Sequence, residues 1–71
     1  MRDEARIKRI VNILYRVWEL YPDLRIGQLL SIAATYGDKK FSKDVFPIED
    51  DIMESGLKMM LKKYYENKTS A

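Results

Sequence analysis

Apolar positions fall into three blocks with helical spacing. From residue 3 to about residue 20, Ile7, Ile10, Val11, Leu14, Val17, Trp18 and Tyr21 recur at intervals of three and four, which places them on one face of a helix. Pro22 stops this block, because Tyr21 before it is pushed out of the helical region. A second block, residues 24–35, carries Ile26, Leu29, Leu30 and Ala33 on one stripe and Gly27, Ser31 and Ala34 on another. Asp23 suits its N-cap and Gly37 its left-handed terminus. A third block, residues 48–66, sets Ile48, Ile52, Met53, Gly56, Leu57, Met60, Leu61 and Tyr64 at helical spacing.

The expectation is therefore an all-α single domain, a small three-helix bundle with the second helix wedged between the first and third. Gly27 and Ser31, one turn apart, are expected to let the second helix approach a neighbour closely, which would offset the cost of glycine in a helix. Residues 37–47, GDKKFSKDVFP, read as a loop with room for a short extended piece, pinned to the core by Phe41, Val45 and Phe46. Residues 67–71 read as a frayed tail.

Composition narrows the chemistry. With 71 residues the core is small, and such domains commonly need a disulfide, a metal or a partner chain for extra stability. The chain has neither cysteine nor histidine, which excludes disulfides, thiolate metal sites and the commonest general base. No enzyme, cofactor or metal site is expected. The acidic run Glu49, Asp50, Asp51 and Glu54 lacks the alternating ligands and glycine of a calcium loop, and it suits a helix N-terminus electrostatically. Apolar runs fall far short of the roughly 20 residues that span a bilayer, and no apolar h-region follows the N-terminal charges. A cytoplasmic protein without membrane contact is the expectation.

Net charge is only +2, with basic ends and an acidic middle. Arg25 stands in the first turn of the second helix, where a cation is disfavoured. An ion pair with Asp50 or Asp51 would compensate. The alternative makes Arg25 and Gln28 an exposed recognition pair. Arg2, Arg6, Arg9 and Arg16 fall along one line of the first helix, a candidate nucleic-acid contact or else a solvated flank whose stems cover apolar surface. Ile13, Tyr15 and Leu20 lie off that helix's main stripe. They form a candidate protein interface, for a partner or a homo-oligomer, unless another helix of the same chain covers them.

The stretch YPDLRIGQLLSIAA, followed after a loop by VFPIEDDIMESGL, resembles a group of short bacterial and bacteriophage proteins of unknown function. The matching residues are Trp18, Pro22, Asp23, Leu24, Arg25, Gly27, Gln28, Leu29, Ile48, Glu49, Asp50 and Asp51. Pro47 stands where such proteins more often carry an aromatic. The resemblance implies a small helical protein of phage or prophage type and lends no activity. Together with the missing acid–base groups it points to an interaction protein that binds a host protein or itself, with a nucleic-acid-binding regulator as the alternative.

Overall fold

A computed structural model describes residues 4–41 and 44–69. Three helices follow one another: α1 over Ala5–Leu20, α2 over Ile26–Gly37 and α3 over Asp50–Thr69. The all-α, three-helix expectation holds, and among the described residues there is no strand. α3 continues through residues 67–69, part of the expected frayed tail.

The middle place belongs to α3. It packs along α2 most extensively and along α1 over a shorter seam, while α1 and α2 barely meet. The wedged position expected for α2 is thus corrected, for a reason visible in its glycines. Gly56 of α3 lies so close to α2 that an added Cβ would run into the Ala33 carbonyl and come within 3.2 Å of the Gly37 amide nitrogen. At Gly37 an added Cβ would collide with the Ile52 carbonyl. The close approach is therefore made by Ala33 and Gly37 against Gly56. A Cβ at Gly27 would meet nothing within 4 Å, so the expected approach through Gly27 and Ser31 is not formed.

The helix ends differ from expectation too. Arg25, not Asp23, is the N-cap of α2: its backbone is extended and its N–H donates to Gln28 Oε1 at 2.9 Å, one arm of a capping box. Arginine has no acceptor, so the other arm cannot form. Gly37 has no positive φ. α2 ends because Asp38 is extended and its carboxylate accepts the Lys40 N–H, an Asx turn that draws the chain out of the helix. Asp44 makes the same turn with Phe46. That turn leaves Phe46 91% exposed, so of the three expected loop anchors only Phe41 and Val45 are half-buried. Asp50 and Asp51 do occupy the first turn of α3, as the helix dipole favours.

The core is Ile13 and Val17 from α1, Leu29 and Ala33 from α2, and Leu57 and Met60 from α3. Ile10, Leu14, Tyr21, Leu24, Leu30, Met53 and Leu61 surround it, half-buried. Trp18 closes the α1–α2 connection, its indole N–H donating to the Leu24 carbonyl at 2.8 Å. Tyr21 stacks edge-on against Tyr64 at 5.6 Å, and burial, followed by the neighbouring Tyr36 and Tyr64 hydroxyls, pushes its phenol pKa up.

Candidate interaction face

At about 100° per residue, the apolar positions of α1 from Ile13 round to Tyr15 cover an arc of about 200°, twice what one buried stripe needs. A single neighbour, α3, cannot cover all of it. Which part is covered is decided by the polar residues at its edge. Arg6 Nε donates to Asp50 Oδ2 at 2.8 Å, and Arg9 grips Glu54 with two bonds, Nε to Oε2 at 2.6 Å and Nη2 to Oε1 at 3.2 Å. These two pairs turn the arginine edge of α1 toward α3. Ile13 and Val17, beside that edge, become core.

The opposite edge of the arc is left outside. Ile7, Val11 and Tyr15 are more than half exposed, and Trp18 joins them at 37%. With spacings of four, four and three they form one continuous outer stripe of about three turns. Tyr15, Trp18, Glu19 and Pro22 line a shallow apolar hollow at its C-terminal end. Of the interface residues expected from sequence, only Tyr15 lies on this surface. Ile13 is 8% exposed and belongs to the core, and Leu20 is half-buried. Conversely Ile7, Val11 and Trp18, which spacing places on the main apolar stripe with Val17, lie outside the core. The signal that could have found them is the width of the arc.

The arginine line is broken in the same way. Arg6 and Arg9 are held by α3 carboxylates, Arg16 is exposed, and Arg2 lies outside the described residues. Arg25 is exposed, and the ion pair expected for it with Asp50 or Asp51 does not form. Asp50 takes Arg6, and the Asp51 carboxylate accepts the Ile52 N–H. The side chain of Gln28, its proposed recognition partner, is taken up at the start of α2, where it accepts the Arg25 backbone N–H.

Glu54 is the charged group that the core closes over, its side chain 8% exposed. The bidentate bond from Arg9 holds its carboxyl below the usual carboxylate range against the opposing effect of burial, with the charge of Lys58, 3.7 Å away, helping. Every buried side-chain polar atom among the described residues is hydrogen-bonded. No group of three metal-type ligands comes together among them, and no helix of the described residues is long and apolar enough to cross a membrane. No protein-family model, curated protein or solved structure matches the chain.

Proposed function

We propose that this chain is a non-enzymatic interaction protein, of the phage or prophage type its motifs resemble, that binds protein through the outer stripe of α1. The observation that carries the reading is the position of Ile7, Val11, Tyr15 and Trp18. With α3 covering only one side of α1, these four stand on one exposed line. Contiguous apolar surface rimmed by charge is what marks interaction sites, and tyrosine and tryptophan are common anchors there. The absence of cysteine and histidine supports a role without catalysis. A nucleic-acid role gains no observation, since Arg6 and Arg9 already serve α3.

The test is capture from a bacterial lysate by the tagged full chain, with and without nuclease, for the wild type and for Val11→Asp. A captured protein should survive nuclease and be lost with Val11→Asp, while the far-ultraviolet dichroism of the variant stays helical because Val11 is 55% exposed. Capture that vanishes with nuclease, or that Val11→Asp leaves intact, would overturn the reading. Substituting Ile13 would not serve, because a polar group there disrupts the core rather than the surface.

A further inference from the structure

The stripe has a symmetry that bears on its partner. On a helix of about 100° per residue, Ile7, Trp18, Val11 and Tyr15 fall within an arc of about 80°. Lys8 and Glu19, both exposed, lie about 20° apart on the flank of that arc away from the core. They carry opposite charge and stand at opposite ends of the same flank.

In an antiparallel pair related by a two-fold axis, like flanks meet. An axis level with residue 13 then sets Val11 of one chain against Tyr15 of the other and Ile7 against Trp18. Each contact occurs twice, and each matches a large aromatic to a smaller aliphatic. The same axis sets Lys8 against Glu19, also twice. A parallel pair would instead lay Lys8 and Glu19 against the half-buried edge of Ile10 and Leu14, leaving both charges without a partner. We infer that the outer stripe of α1 binds a second copy of this chain, antiparallel, with reciprocal pairs between Lys8 and Glu19 at the two ends of the seam. This inference rests on the reading of the stripe as a protein-binding face and names its partner.

The helix is 16 residues long, about 24 Å of seam. Specific interfaces bury about 800 Å² per partner, and a single-helix seam of this length stands at the small end of that class. The dimer is therefore reversible. It assembles and dissociates with concentration.

Sedimentation equilibrium of the full chain, from micromolar to millimolar concentration, tests this with Lys8→Glu, Glu19→Lys and the double exchange. The wild type should show a monomer–dimer equilibrium. Each single exchange places like charges at both ends of the seam and should weaken association about fivefold, the equivalent of about 1 kcal/mol. The double exchange should restore it. A chain that stays monomeric throughout, single exchanges without effect, or a double exchange that fails to rescue would each overturn the inference. Val11→Asp separates the two readings. If the wild type is monomeric yet Val11→Asp abolishes capture of another protein, the second-copy inference falls and the interaction reading stands; if Val11→Asp changes neither, both fall.

Discussion

Two glycines show how far identical residues can differ in what they do. Gly27 sits in an exposed helical turn with open space where a side chain would stand, so Gly27→Ala should stabilise by up to about 1 kcal/mol, alanine being the better helix former. Gly56 stands where α3 crosses α2 closely. The same exchange there drives a methyl group into the Ala33 carbonyl, and it should cost about 1–3 kcal/mol despite the gain in helix propensity. Equilibrium urea unfolding of both variants measures the pair, and shifts of the same sign would refute the assignment. That the sequence offered Gly27 rather than Gly56 for the crossing has a plain cause. Small residues at helical spacing mark a face that can approach another helix, but which of two such faces does so depends on the partner's own small residue. Three-and-four spacing does not encode it.

At the level of elements, the ion pairs between α1 and α3 decide how α1 is rotated. Arg9 and Glu54 form the half-buried member of the two, Arg6 and Asp50 the exposed one. Arg9→Met leaves a buried carboxylate short of its main donor and should cost about 1–3 kcal/mol, whereas Arg6→Met should cost less than about 1 kcal/mol. The pH profile carries the same signature. Because Arg9 depresses the native pKa of Glu54, the stabilisation is fully present above the unfolded carboxyl's ordinary value of about 4.3. It is lost as the pH falls from there through the lower native value. Urea midpoints followed down that range should fall less steeply in Arg9→Met than in the wild type, and equal slopes would contradict the role given to the pair. The three helices, the stop at Pro22 and the acidic first turn of α3 were legible from spacing and capping chemistry alone. The rotation of α1 was not, because its apolar arc is wide enough to offer two faces and the choice rests on carboxylates more than forty residues away. The pair expected for Arg25 is absent for a related reason. The α1 arginines reach the acidic turn, and Asp50 goes to Arg6.

For the whole molecule, α1 divides into an inner edge that holds the fold together and an outer stripe that the fold does not use. The division follows from size. Among the described residues of this 71-residue chain the buried core cluster is six side chains, and α3 in the middle can cover only one side of α1. Tyr15 was readable as surface, while Ile7, Val11 and Trp18 were not, since nothing in local spacing separates an apolar residue facing the core from one facing a partner. The most direct measurement is the stability of Val11→Ala beside Val17→Ala. Both are made by urea unfolding at a concentration low enough that association does not contribute. Val17 is fully buried, so its truncation should cost about 2 kcal/mol, whereas Val11→Ala should stay within about 0.5 kcal/mol of the wild type. A loss at Val11 as large as at Val17 would mean that the outer stripe belongs to the monomer's core, and the face assigned to a partner would not exist.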